Sequence, residues 1–333
     1  MRLTSATYLA VLSGLASSPR LARGSPVASR QEASSCTEPA SRPEWRTLPD
    51  DTKAEYISAV KCLTTKPSRI GLDTTLYDDF PYVHAQLNLD IHFVAQFLPW
   101  HRLFVHLYET ALRDDCTYTG PMPYWDWMQD SGTFPSSPIF SNSSTSGFGG
   151  TSAGGWVSPA RPNPLTSCVT DGAFADFNVT YYTLSKQSHC LNRAFNNGTG
   201  TEAEANWEAA DYSTATIANI TDNSADFKTF WPALENTPHG AIHAVIGGDM
   251  VPQTSPNDPL FFLHHAQVDR LWWIWQQVDP ETRNADFSGN KNQAPDETPA
   301  ALTDVMPYLG LGPNMTVSTV MTIENDVLCY TYV

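Results

Sequence analysis

FLPWHRLFVHLYETALRDD, residues 97–115, carries apolar side chains at Leu103, Val105, Leu107, Tyr108, Ala111 and Leu112. On a 3.6-residue period these cover a wide face, the pattern of a helix buried inside a domain. Pro99 suits the first helical position, where no backbone N–H is needed. The spacing therefore predicts a helix beginning near Pro99, and an earlier one running from Asp78 up to that break.

The same period recurs elsewhere. Residues 44–64 read as a turn at Pro49-Asp50-Asp51 followed by a helix with Ala54, Ile57, Val60 and Leu63 on its inner face. Helices are expected over 238–246 and 258–277, the second opening on Pro259. Residues 131–167 are rich in Ser, Gly and Pro and read as a long surface loop. Residues 203–230 read as a mildly helical outer segment, and the β-branched tail 315–333 as strand. One mainly α domain over 36–333, with a small strand content near its termini, follows from this pattern.

The chain has 333 residues, 41% hydrophobic and 16% charged, with a formal net charge of −16. Nucleic acid and anionic membranes are excluded as partners, because the long-range field repels a polyanion. Residues 1–18 have an early Arg, a short apolar run and then small residues, which reads as a secretory signal. Residues 19–35 lack periodicity and read as a flexible lead or propeptide. Six cysteines fit three disulfides with fifteen pairings open; the pairing adopted is Cys36–Cys329, Cys62–Cys116 and Cys168–Cys190. Sequons at Asn142, Asn178, Asn197, Asn219 and Asn314 agree with secretion.

Eight of the nine histidines fall in two windows, His84, His92, His101 and His106, then His239, His243, His264 and His265. His239 and His243 are one helical turn apart and share a face. His265 follows on the Pro259 helix, while His92 and His101 are expected on separate helices with His84 upstream. Two sets of three imidazoles on facing helices are a way to build a metal site in a bundle. No Glu-x-x-His accompanies them, and Gly-Ala-Ile between His239 and His243 leaves no internal base for a zinc hydrolase. Three neutral nitrogens per ion suit copper, with positions left for O₂ or substrate.

The combination of His84, His92 and His101-Arg102, FLPWHRLF, PHGAIH and NDPLFFLHHAQVDRLWW resembles the coupled binuclear (type 3) copper family of tyrosinases, catechol oxidases and haemocyanins. Residues 36–333 are similar to its short secreted fungal members throughout, including Tyr330-x-Tyr332 near the end. The resemblance implies a central four-helix bundle holding a dicopper site, with a few short strands and long loops. It implies CuA on His84, His92 and His101, and CuB on His239, His243 and His265. His264 is expected to diverge from His265 by roughly 100°. His106 is read as structural, and His189 as a surface or packing residue in a loop. Asp269, followed by Arg270, is a candidate to fix a ligand ring's tautomer. Phe261 and Phe262 are candidate pocket walls, and Met250 or Val251 a candidate residue over the metals.

Two departures from the family pattern shape the expected chemistry. Asp90 stands where many members carry a cysteine bonded to the second CuA histidine, so nothing covalent restrains His92. Gly240 stands where strong monophenol hydroxylases have an asparagine that, with a glutamate here matched by Glu235, orients a water. The expectation is oxidation of o-diphenols, and of o-aminophenols or substituted phenols, to quinones with O₂ reduced to water and little monophenol hydroxylation. The chain is expected to lack the C-terminal lid of latent members and to act as a monomer or homodimer. A monophenolase, a tailoring oxidase acting on a secondary metabolite or peptide, an O₂ carrier and a metal-free glycoprotein are the alternatives.

Overall fold

The structure, a computed structural model, describes residues 36–152, 168–196, 210–296 and 298–333. The proposed signal, the lead segment and the Asn197 sequon lie outside them. Nine helices and six short strands are formed among the described residues: β1 (Ala40–Arg42), α1 (Asp50–Leu63), α2 (Leu76–Gln86), α3 (Asn88–Ile91), α4 (Phe97–Cys116), β2 (Asn178–Tyr182), β3 (Ser185–Cys190), α5 (Thr214–Asn223), α6 (Phe227–Leu234), α7 (Gly240–Ile246), α8 (Leu260–Val278), α9 (Pro280–Arg283), β4 (Val305–Met306), β5 (Met315–Thr316) and β6 (Tyr330–Tyr332).

Local chemistry fixes the helix ends. Thr75 and Asp78 form a reciprocal capping box at the start of α2, and Asp226 accepts from the Thr229 N–H at 2.9 Å to start α6. The break in the 78–115 stretch falls at residues 92–96, earlier than Pro99 suggests. Helix α4 starts at Phe97, with Pro99 in its first turn where a missing N–H costs no bond. Thr117 closes α4 in a left-handed conformation, its N–H reaching the Leu112 carbonyl, which also accepts from the Tyr118 N–H at 3.0 Å.

The helix expected from 238 begins eleven residues earlier. α6 runs into a π turn at Glu235–His239 and on into α7, the Gly240 N–H reaching back to the Glu235 carbonyl. Pro238 has no N–H to bond four residues back, so the wider turn takes its place.

Helices α4 and α8 pack on each other at the centre, α1 lies against α4, and Trp100, Phe104, Phe261 and Trp272 are fully buried. The 315–333 tail is only fragmentarily strand. β5 pairs antiparallel with β4, a 3₁₀ turn follows at Val317–Val320, and β6 pairs in parallel with β1. Side-chain hydrogen bonds from Asn325 to the Thr319 and Thr322 carbonyls hold the intervening loop off a ladder. Disulfides Cys36–Cys329, Cys62–Cys116 and Cys168–Cys190 staple this frame, the first beside the β1–β6 pair.

Candidate metal centre

Helices α2, α4 and α8, the α6–α7 rod and the extended segment after α3 bring seven histidines into two clusters. His84, His92 and His101 form one; His239, His243, His264 and His265 form the other. Within each cluster, one ligand atom from every residue lies within 4.8 Å of those of the others. An ion held by imidazoles at about 2.0–2.1 Å keeps its ligand atoms within about 4 Å of one another, so each cluster is of metal-binding size.

Five rings are aimed by backbone carbonyls. His101 Nδ1 donates to Phe97 O at 2.8 Å and His239 Nδ1 to Glu235 O at 3.0 Å, each one turn back on its own helix. His84 and His243 donate to the loop after α7, at Gln253 O and Met250 O, both 2.6 Å away. That loop is seated by Gly247 and Gly248. Both have positive φ, and a side chain on either would lie 2.3 Å from the Ala194 or Asn192 carbonyl. His92 is the exception to the expectation of helical ligands. It follows α3 in extended backbone, φ −123° and ψ 146°, with Nδ1 on Asn88 O at 3.1 Å.

With each Nδ1–H engaged, the lone pair sits on Nε2. The Nε2 atoms of His239 and His243, and both nitrogens of His265, are buried without a partner. His84 and His101 bring Nε2 atoms to 3.3 Å, two acceptors facing each other. Orphaned buried nitrogens carry a desolvation cost, which a cation between them removes. Burial lowers the pKa of all six rings, those of His92 and His243 to about 4, so the imidazoles are neutral and ready to bind a metal near pH 7. The donor set therefore fits copper.

His264 does not diverge out of the site as its position beside His265 suggests. Its ring is fully buried, 5.3 Å from His239 and 19° from parallel, with neither nitrogen partnered.

Several sequence expectations need correction. Asp269 does not touch a ligand ring. Its Oδ1 accepts from Arg102 Nε, and its Oδ2 from the hydroxyls of Tyr330 and Tyr332 at 2.5 Å each. Arg42 lies 3.6 Å away and bridges to Glu109 at 2.7 Å. Backbone carbonyls do the orienting, and Asp269 ties α8 to α4 and the terminal strand pair.

Phe262 stacks on Tyr108 with ring centroids 3.5 Å apart, facing the core. Its neighbour Phe261, rotated about 100° round α8, walls the site, with its centroid 4.1 Å from that of His265 and 5.1 Å from that of His84. Phe97, not singled out in the sequence, is the second wall, 4.8 Å from both His101 and His239. Met250 contributes its carbonyl while its side chain is buried in the core, and Val251 is 44% exposed.

His189 is neither in a loop nor at the surface. It lies buried in β3, with Nε2 2.8 Å from the Asp249 carboxylate. His106 lies off the cluster, its Nδ1 unpartnered, and burial lowers its pKa to about 4. Asp90 is exposed, and all six cysteines are in disulfides, so no thiol remains to bond His92.

Glu235 is buried. Its Oε1 accepts from the Phe93 N–H at 2.8 Å, its Oε2 has no partner, and burial raises its carboxyl to about 8. Gly240 has ordinary helical angles, φ −60° and ψ −38°, and a Cβ there would meet only Glu235 O, at 3.5 Å. Neither strain nor crowding calls for a glycine at this position.

Two adjacent clusters of buried, neutral imidazoles on a helical frame define a dimetal protein with histidine-only ligation. Residues 74–278 match the common central domain of tyrosinase. The chain is 39% identical over 312 residues to the tyrosinase-like protein phomQ1 of Diaporthe leptostromiformis, covering 89% of this chain and 78% of that one. It is 36% identical over 297 residues to tyrosinase ustQ of Aspergillus flavus, covering 89% and 80%. The structure is similar to that of the G292N mutant of polyphenol oxidase from Thermothelomyces thermophila, with TM-score 0.77, 30% identity and 88% of each chain covered.

The chain belongs to the tyrosinase family of type 3 copper proteins. Its fold is the family's helical copper domain, its cofactor is copper with O₂ as co-substrate, and the family is one of oxidoreductases that act on small phenolic compounds. No helix among the described residues is long and apolar enough to cross a membrane.

Proposed function

We propose that this chain is a secreted dicopper oxidase that converts o-diphenols, and o-aminophenols or substituted phenols, to quinones or quinone imines, with weak or no monophenol hydroxylation. His84, His92 and His101 hold CuA, and His239, His243 and His265 hold CuB. Copper supplies the binding of O₂ and the passage of electrons to it. Two diphenol molecules each give up two electrons and two protons, and O₂ leaves as two waters.

The protein's part is to hold six neutral rings with Nε2 free and to enclose them between Phe97 and Phe261. Phenol rings suit such walls through offset or edge contacts. The preference for diphenols rests on one observation: Gly240 follows His239 and presents no amide, while the Glu235 carboxyl is engaged by the Phe93 N–H. A monophenol must lose its proton to bind as an anion, and with no amide beside Glu235 the pair of side chains that would hold a water for that step is incomplete; an o-diphenol is more acidic and gives up electrons more readily. The catalytic domain of the mature protein spans 36–333.

The test is O₂ uptake by copper-loaded protein with catechol, o-aminophenol and tyrosine. Turnover of the first two with negligible tyrosine hydroxylation is expected. Fast tyrosine hydroxylation without a lag overturns the diphenol preference.

A further inference from the structure

His92 is the one copper ligand assigned above that lies outside a helical turn, and its ring-to-carbonyl bond, 3.1 Å, is the longest of the five. The residue after it, Phe93, has φ +55°, a conformation that bulky residues rarely adopt. Its side chain is 57% exposed, so packing does not force this geometry.

Hydrogen bonds to residues 92–95 do. Glu235 Oε1 accepts from the Phe93 N–H at 2.8 Å, and Asn290 Nδ2 donates to Phe93 O at 2.9 Å. Gln293 Nε2 donates to His92 O at 3.0 Å, and the Ala95 N–H to Asn290 O at 2.8 Å. Three of the four come from a segment beyond residue 278, where the match to the family's central domain ends.

That segment is itself seated. Gly289 has φ +133°, and a Cβ there would lie 2.9 Å from Trp231 Nε1 and 3.3 Å from Ala95 Cβ. The Ala300 N–H bonds Gly289 O at 3.0 Å and the Lys291 N–H bonds Thr298 O at 2.7 Å.

We infer that Asn290 and Gln293, together with Glu235, are positioning residues for His92: a non-covalent clamp that sets how tightly the first triad keeps its copper. Glu235 joins the clamp to the second cluster, since its own carbonyl aims His239. One residue thus references His92 and His239 to each other. The inference rests on the dicopper reading above.

The test is a chelator titration of copper-loaded protein, reading copper per chain by metal analysis. The unmodified protein is expected to hold two ions. Asn290→Ala and Gln293→Ala are expected to fall to a plateau of one at about tenfold lower chelator concentration, the equilibrium worth of one hydrogen bond. Glu235→Ala is expected to behave likewise, while Glu235→Gln keeps an acceptor oxygen and stays near the unmodified protein. Lys291→Ala, which breaks an exposed bond to Asp304 in the same segment, is expected to leave the titration unchanged.

General loosening of the fold releases both ions together. That pattern in the Asn290 and Gln293 variants, or titrations matching the unmodified protein, overturns the clamp and leaves the dicopper reading standing. Fewer than two ions in the unmodified protein overturns both.

Discussion

His101 of α4 and His265 of α8 stack with ring centroids 4.4 Å apart and planes 12° from parallel. One ring belongs to each cluster, so the two sites share a wall rather than merely neighbouring each other. The contact falls where α4 and α8 pack, so the packing of these two helices sets how His101 and His265 face each other.

From this arrangement comes a prediction on ligand choice. His265→Ala is expected to reduce copper from two ions per chain to one, while His264→Ala keeps two. Metal analysis of the two purified variants decides it; two ions in His265→Ala and one in His264→Ala would reverse the assignment.

Gly240 invites two substitutions. Gly240→Ala is expected to stabilise the protein by about 0.5–1 kcal/mol, since the helical backbone is ordinary and a Cβ fits. Gly240→Asn is expected to raise tyrosine hydroxylation relative to catechol oxidation. Unfolding midpoints check the first and paired assays the second.

Asp269 accepts from one guanidinium and two phenols and faces a second guanidinium, all out of contact with water. Asp269→Ala leaves Arg102 and Arg42 short of a counter-charge, and a loss of about 3–5 kcal/mol is expected. Urea unfolding measures it. A loss below 1 kcal/mol would mean that the network is not structural.

Acid sensitivity has an assignable source at His106. Arg42, Glu109 and Arg113 face it, and burial holds its folded pKa at about 4, below the unfolded value of about 6.5. As pH falls between these values the unfolded chain takes up a proton that the folded one refuses, so stability is lost through this window. His106→Gln is expected to lose less stability between pH 7 and pH 4.5 than the unmodified protein, by urea midpoints.

The clustering of eight histidines and the apolar faces of α1, α4 and α8 were readable because they are patterns of side-chain type. What was not readable depends on backbone placement. The carbonyls of Met250 and Gln253 that aim His243 and His84 have no signature in residue identity. Pro238 marked a helix start by rule, yet it sits inside a π turn of a longer rod. The choice between Phe261 and Phe262 turned on a rotation of one residue. Asp269 had the right spacing to reach a ligand ring, but two phenols and Arg102 claimed its oxygens. Gln293 and Asn290 lie about two hundred residues from the histidine whose segment they hold, beyond any local periodicity.

The central claim is that these two imidazole clusters are a copper pair. Metal analysis of the protein purified after copper loading tests it most directly. Two copper ions per chain are predicted; zinc alone, or less than one copper per chain, would contradict it.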